Sequence, residues 1–341
     1  MRLIKVEEAV GLPIAHDITR VIPGVFKGAA FKKGHIIREE DIEELKKLGK
    51  EHIDVDVIPE GCIHENDAAE RIALAIADSE EFEFTPVSEG KINIISKKTG
   101  LLKINKDMLY KLNSIEHIAI STRYDDIVIR KGEVVASERI VPLYTKDSNI
   151  KKVEKICSDC KLFYVKEFIP QSVHLIITGN EVYKGLIEDK FFPVLQPKIS
   201  SYGSHVDKVT KVPDDLEIIR ASIEESYKEG ADIIICTGGM SVDEDDLTPI
   251  AIKAEVDELI VHGIPVQPGN MFLLGYKGNT AITGVPGSVM FFPTTVFDMA
   301  FSKLACREKI SKEYFIKLGL GGLCYFCKNC TYPNCTFLKG R

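Results

Sequence analysis

Residues 231–249 read ADIIICTGGMSVDEDDLTP. Ile233, Ile234 and Ile235 have the unbroken β-branched character of a strand buried on both faces, the kind found in parallel sheets. Gly238 and Gly239 let the chain turn sharply and approach a ligand with no Cβ in the way. Thr248 followed by Pro249 reads as an N-cap and a first helical position. The stretch is therefore a strand–loop–helix joint, the place where α/β proteins hold their ligands. Between glycines and helix stand Asp243, Glu244, Asp245 and Asp246. Four adjacent acids repel one another unless water or a hard cation such as Mg²⁺ relieves them. The plainer alternative is a solvated acidic loop stabilised at a helix N-terminus.

Working outward, residues 171–305 alternate buried strands with amphipathic helices. That pattern implies an α/β domain on an open, mostly parallel sheet with helices on both faces. Residues 174–178, 272–274 and 280–283 read as further strands. Pro213-Asp214 reads as the opening of a helix, with Glu217 in the capping-box position and Leu216, Ile219, Ile223 and Tyr227 on one face. An apolar segment running to Leu304 reads as a last helix, with Pro293 near its start.

Ahead of this domain, residues 1–85 read as an N-terminal α+β domain, with one helix closed by Gly49 and another over residues 66–77. Residues 86–170 read as a β-rich middle domain, entered through an acidic joint at residues 79–86. Residues 306–341 form a cysteine-rich tail. Neither of the first two segments carries a readable motif, so scaffold or dimer surface is the expected role.

At 341 residues the chain exceeds one ordinary core and implies several domains. A net charge of -7, with no concentrated Lys/Arg stripe, argues against a general nucleic-acid binder. No apolar run approaches a bilayer span, so no membrane role is expected. The opening MRLIKVEEAV alternates charged and apolar residues too early for a signal peptide. Nine cysteines then imply reduced thiols or metal ligands in the cytoplasm rather than disulfides.

Four glycine-bearing loops in the α/β domain follow or flank strands: Thr178-Gly179-Asn180-Glu181, Thr237-Gly238-Gly239-Met240, Pro268-Gly269-Asn270 and Pro286-Gly287-Ser288. In a parallel sheet such loops gather on one edge, and their free backbone N–H groups favour phosphate. Neither G-x-x-x-x-G-K-[ST] nor G-x-G-x-x-G occurs, which argues against ordinary NTPases and nicotinamide enzymes.

Jointly, Ile177–Glu181, residues 232–246 and residues 284–288 resemble the molybdopterin-binding domain of molybdenum-cofactor biosynthesis proteins. That domain is carried by molybdopterin adenylyltransferases and molybdopterin molybdenumtransferases, and the resemblance covers about residues 172–304. It implies that Asp246, two residues before Thr248, is the Mg²⁺-associated or catalytic carboxylate. It further implies that Thr178, Gly179, Glu181, Gly238, Gly239, Ser241, Thr248, Pro268, Gly269, Asn270, Pro286, Gly287 and Ser288 line a pocket for molybdopterin or its adenylated form. Three departures stand out. Asn180 replaces the usual Asp of the transferases, and Gln267-Pro268-Gly269-Asn270 replaces their Lys-Pro-Gly-Lys, losing both cations. Only a short tail follows Leu304, where the transferases have a small β domain. The first 170 residues are more similar to the leading part of a clostridial-type set of molybdopterin-binding proteins.

In the tail, Cys324-x-x-Cys327-x-x-Cys330-x4-Cys335 places four thiols within twelve residues, a metal-binding pattern. Two successive x-x spacings match the iron–sulfur run that puts three cysteines on one cubane, although the fourth spacing is one residue longer than in that run; zinc, or a disordered redox-sensitive tail, is the alternative. Tyr325, Phe326, Tyr332 and Phe337 would shield such a centre or dock the tail. Cys157-x-x-Cys160 reads as incidental, and Cys236 as a core thiol.

The leading expectation is a molybdopterin molybdenumtransferase-like enzyme, homo-oligomeric by family resemblance, that binds adenylated molybdopterin and releases AMP as molybdate is inserted. The rival is a non-catalytic cofactor carrier or insertion chaperone whose tail docks a molybdenum hydroxylase. A nucleotide-pyrophosphate hydrolase on the same fold is third.

Overall fold

A computed structural model describes residues 2–22, 26–55, 58–241 and 246–340. Asp243, Glu244 and Asp245 lie outside the described residues, so Asp246 alone represents the acidic run below. The chain forms two compact units, Met1–Val165 and Lys166–Arg341.

The first unit is built from small antiparallel sheets. Arg2–Lys5 pairs with His52–Val55, and Ile18–Ile22 with Phe26–Phe31. Helix Asp41–Lys47 turns Leu45 into their core and stops at Leu48, after which Gly49 takes φ 77°, as a C′ glycine does. Helix Glu65–Ile76 starts where the His64 ring accepts the Asn66 N–H at 3.1 Å. Its Ala68, Ile72 and Ile76 share one core with Ile94, Ile120 and Phe163. A four-stranded sheet runs in the order Phe82–Phe84, Lys91–Ser96, Val134–Ile140, Ile118–Thr122. The acidic joint expected at residues 79–86 is thus a sheet edge. Phe82 is fully buried, its ring 5.7 Å from that of Phe163, and this apolar anchor outweighs the flanking acids.

The second unit carries a six-stranded sheet. Its strands are β1 (Ser172–Thr178), β2 (His205–Val212), β3 (Ile233–Thr237), β4 (Glu258–His262), β5 (Leu273–Lys277) and β6 (Thr280–Val285). They lie in the order β2-β1-β3-β6-β5-β4. The first four are parallel, and β5 runs antiparallel to both its neighbours, so the sheet is mixed. Every residue of β3 is buried, as its apolar run requires.

Helices cover both faces. The helices of this unit are α1 (Asn180–Tyr183), α2 (Phe192–Ser200), α3 (Leu216–Lys228), α4 (Thr248–Glu255), α5 (Val296–Leu304) and α6 (Lys312–Lys317). On one face Leu175, Ile177 and Ile235 pack with Leu195 and Ile199 of α2, Phe301 of α5 and Phe315 of α6. On the other, Ile176, Ile234 and Ile282 pack with Ile219 and Ile223 of α3 and Ile252 of α4. Each fully buried Ile or Leu contributes roughly 1.5–3 kcal/mol, so these two layers hold the loops above them in place.

Two helix starts differ from the sequence reading. Asp215, not Asp214, caps α3, its carboxylate accepting the Ile218 N–H at 3.0 Å, so Glu217 does not stand at N3. Thr248 is the first residue of α4 rather than its N-cap, with Leu247 in the capping place. Its hydroxyl is engaged elsewhere. At the far end, Thr295 and Asp298 form a capping box that starts α5 after Pro293.

Candidate functional site

The chain goes from β1 outward to β2 and then back across β1 to β3, so strand order reverses between β1 and β3. At such a reversal the loops leaving the carboxyl ends diverge and open a crevice. Thr178 ends β1 and Thr237 ends β3. The loops expected to line a site all leave from this edge. They follow β1 (Gly179), β3 (Gly238), β4 (toward Pro268) and β6 (Pro286).

The Gly-Gly turn forms the floor. Gly238 takes φ 89° and Gly239 φ 52°. A Cβ on Gly238 would stand 2.1 Å from the Thr178 carbonyl oxygen. The first demand on this glycine is therefore close approach to the end of β1. A Cβ on Gly239 would lie 3.1 Å from Thr248 Oγ1, 3.4 Å from Thr178 Oγ1 and 3.6 Å from Asp246 Oδ1. Thr178, Gly239, Asp246 and Thr248 thus meet in one small volume. The two threonine hydroxyls are 3.0 Å apart, both residues buried. Met240 anchors the loop from below, buried against Gly284, where a Cβ would stand 2.4 Å from its Cε.

On one flank, Gly179 takes φ 138° and α1 begins at once. Its N–H donates to the Val212 carbonyl at 3.2 Å, and the Asn180 N–H donates to Asp214 Oδ2 at 2.9 Å. Asp214 thereby fixes the turn, a role hidden in the sequence because Pro213-Asp214 reads as a helix start. Glu181 and Ser241 are exposed at the rim. On the other flank, Thr237 Oγ1 donates to the Val285 carbonyl at 3.1 Å, tying β3 to the Pro286-Gly287-Ser288 turn. That turn opens a short 3-10 helix, Gly287–Met290, and Ser288 Oγ is buried with no hydrogen-bond partner among the described residues.

Pro268, Gly269 and Asn270 are positioned differently. Strand β4 is three positions from β3, about 14 Å at the usual spacing of strands. Gly269 packs on the start of α5, where a Cβ would lie 3.2 Å from Val296 Cγ1. The preceding residue, Gln267, is held by the tail. Its N–H donates to the Gly322 carbonyl at 2.8 Å, and its carbonyl accepts the Cys324 N–H at 2.9 Å. The structure therefore joins this loop to the tail rather than to the Thr178–Thr248 group.

The tail is folded. Phe337 and Leu338 are buried in the sheet's core, and Leu338 N–H donates to Gly321 at 2.9 Å. Cys324, Cys327, Cys330 and Cys335 all line one cavity of about 360 Å³. All nine cysteines are free. Among the described residues, no three His, Cys, Asp or Glu side chains stand close enough together to hold a single metal ion. Cys236 is a core thiol whose burial pushes its pKa up to about 12, and burial pushes that of Cys157 up to about 11. Neither is a ready thiolate. A separate cavity of about 330 Å³ lies at the opposite, amino edge, lined by Asp232, Gly278, Asn279, Arg307 and Lys309 among others.

Residues 174–304 match the family described as a probable molybdopterin binding domain. This chain carries a molybdenum-cofactor biosynthesis domain. Residues 3–56 match a domain of unknown function, DUF8806. Among curated proteins, a CinA-like protein from Petrotoga mobilis is 46% identical over 79 residues, 23% of this chain and 19% of that protein. A molybdopterin molybdenumtransferase from Synechococcus elongatus is 26% identical over 159 residues, 43% of this chain and 39% of its own length. The chain thus spans less than half of either relative. A solved molybdopterin biosynthesis protein from Mycobacterium abscessus aligns over 40% of this chain and 92% of its own, at 19% identity and a TM-score of 0.35. All four glycine loops fall inside the molybdopterin-binding domain, whereas the tail cysteines lie beyond it. Among the described residues no helix is long and apolar enough to cross a membrane.

Proposed function

We propose that the carboxyl edge between β1 and β3 binds molybdopterin or its adenylated form, and that the protein acts as a molybdopterin molybdenumtransferase. The observation that carries this reading is the meeting of Thr178, Gly239, Asp246 and Thr248 at the point where strand order reverses, inside the matched domain. Backbone N–H groups at Gly239 and Ser288 suit the ligand's phosphates. The unpartnered Ser288 hydroxyl supports a polar ligand on that flank. Glu181, Ser241, Pro286 and Gly287 would complete the rim.

Asp246 fits a Mg²⁺ role, since that ion takes one or two carboxylates and completes its shell with water and substrate phosphates. A Mg²⁺ held by Asp246 would supply charge neutralisation at the pyrophosphate, whose cleavage adds water across one P–O bond and gives AMP and molybdopterin phosphate. Asp246 would orient that pyrophosphate, while the tight floor made by Gly238 keeps the phosphates against the sheet edge. The same reading gives Cys324, Cys327, Cys330 and Cys335 to a metal, iron–sulfur or zinc. It takes residues 171–305 as the pterin domain proper, and the protein as a cytoplasmic homo-oligomer.

A second reading, a carrier or insertion chaperone that serves a molybdenum hydroxylase, is favoured by one observation. The Gln267–Asn270 loop has no cation and is engaged by the tail. Incubation with adenylated molybdopterin, Mg²⁺ and molybdate separates the two. AMP release, lost in Asp246→Asn more completely than binding and not restored at saturating ligand, supports the transferase. Tight pterin binding with no AMP defeats it in favour of the carrier.

A further inference from the structure

Another cavity, of about 270 Å³, lies wholly within the first unit. It takes one wall from His16, Asp17 and Lys33, inside the segment matched to DUF8806, and another from Glu65, Glu89 and Arg139 beyond it. Glu65 opens the helix Glu65–Ile76, and its N–H donates to the Leu143 carbonyl at 2.8 Å. The next residue, Asn66, accepts the Gly90 N–H on Oδ1 at 2.9 Å. Gly90, at φ 65°, backs directly on Glu65, where a Cβ would stand 2.8 Å from both Cβ and Oε2. These contacts press the Glu65 side chain inward, to 5% exposure.

The buried groups lack partners. Among the described residues the Glu65 carboxyl makes no hydrogen bond or ion pair. Burial is the largest influence on it and raises its pKa, while the charges of Arg139 and Lys33 pull the other way. His16 Nδ1 is a second buried atom with no hydrogen-bond partner among the described residues. Unpaired polar atoms of this kind are costly and point to a missing partner. Lys33 is half-buried and Arg139 exposed at the rim, and neither side chain is ion-paired among the described residues. Against these two cations stand Asp17, whose Oδ1 accepts the Lys33 N–H at 2.7 Å, and the exposed Glu89. Val87 and Leu143 add apolar surface to the lining.

This lining selects a ligand that carries both signs of charge. A bare anion would use Lys33 and Arg139 but set its charge against Glu65, and a bare cation would leave the guanidinium unused. An ammonium offers three donors, enough for the Glu65 carboxylate and His16 Nδ1, and it would give the ionised acid the partner it lacks. A carboxylate matches the fork of Arg139. The volume falls just below the 300–1,000 Å³ of pockets for drug-sized ligands, so the occupant is small. We infer that this cavity binds a zwitterion of the α-amino-acid class, with its ammonium on Glu65 and His16, its carboxylate on Arg139 and Lys33, and an aliphatic side chain against Val87 and Leu143. The site belongs to the first unit and does not depend on the pterin reading.

Isothermal titration of the full chain with glycine, alanine, valine and leucine tests this. At least one should bind once per chain, with valine or leucine tighter than glycine. Capping either charge of that amino acid, as its N-acetyl derivative or its amide, should weaken binding to the wild type at least about tenfold. Glu65→Gln, which keeps the shape against Gly90, and Arg139→Ala, at an exposed side chain, should each weaken it by a similar factor. No binding by any of the four at millimolar concentration overturns the proposal and leaves a solvated cleft. Binding that both variants leave unchanged overturns it as well. Equal affinity for the N-acetyl derivative, or binding of inorganic phosphate in place of the amino acids, would make this a plain anion site and overturn the two-charge assignment.

Discussion

Thr178 Oγ1 and Thr248 Oγ1 lie 3.0 Å apart, joining the end of β1 to the first turn of α4 across 70 residues of sequence. The bond closes the Gly-Gly loop from above, and both side chains are buried. Removing one hydroxyl leaves the other without this partner, which costs about 1–3 kcal/mol. Thr178→Val and Thr248→Val should each show that loss in denaturant unfolding. The double variant should lose less than their sum, because the second change removes an already unmatched group. Strict additivity would contradict a direct bond.

Gly238 is the least replaceable of the loop glycines. Gly238→Ala would drive a methyl to 2.1 Å from the Thr178 carbonyl oxygen at φ 89°, so β1 and β3 must separate at their ends. We expect a loss of at least about 3 kcal/mol or no soluble protein. Gly132→Ala provides the control, since φ there is 87° with nothing among the described residues within 4 Å of the added carbon. Its loss should stay near 1 kcal/mol, the backbone penalty alone. Thermal unfolding of the pair measures the difference.

These two relationships also mark what the sequence could and could not disclose. Ile233–Ile235 and the glycines after them announce a buried strand and a turn through composition alone, so the sheet and its loop edge were legible. The engagement of Thr248 was not. A threonine before proline commonly caps a helix, and only the position of β1 reveals a closer partner. Asp214 was hidden in the same way, by a local motif that a distant backbone N–H overrides. Residues 79–86 misled because charge dominates the segment while one residue, Phe82, decides its place. The hold of the tail on Gln267 rests on backbone hydrogen bonds between segments more than 50 residues apart, which leave no trace in side-chain pattern.

Glu138 sets a pH dependence in the first unit. It lies between its cross-strand partners Ile92 and Ile120, almost wholly buried, and neither carboxyl oxygen has a hydrogen-bond partner among the described residues. Burial pushes its pKa up to about 9, from an ordinary value of 4.5. Folding therefore favours the protonated acid. Its contribution is full below about pH 4.5 and is lost as pH rises toward 9, at up to about 1.4 kcal/mol per unit. Glu138→Met should flatten the fall in stability between pH 5 and 8 and be the more stable protein at pH 8. Parallel pH–stability curves for the two proteins would rule this out.

The central claim is that the ligand occupies the carboxyl edge around Thr178, Asp246 and Ser288 rather than the cavity at the amino edge. Equilibrium binding of molybdopterin, followed anaerobically by its fluorescence with Mg²⁺ present, tests it most directly. Ser288→Ala and Asp246→Asn should each weaken binding by about 1–3 kcal/mol, or roughly five- to 150-fold in Kd. Arg307→Ala, which alters the amino-edge cavity, should leave Kd unchanged. Weakened binding in Arg307→Ala, with Ser288→Ala and Asp246→Asn at the wild-type Kd, would contradict the account.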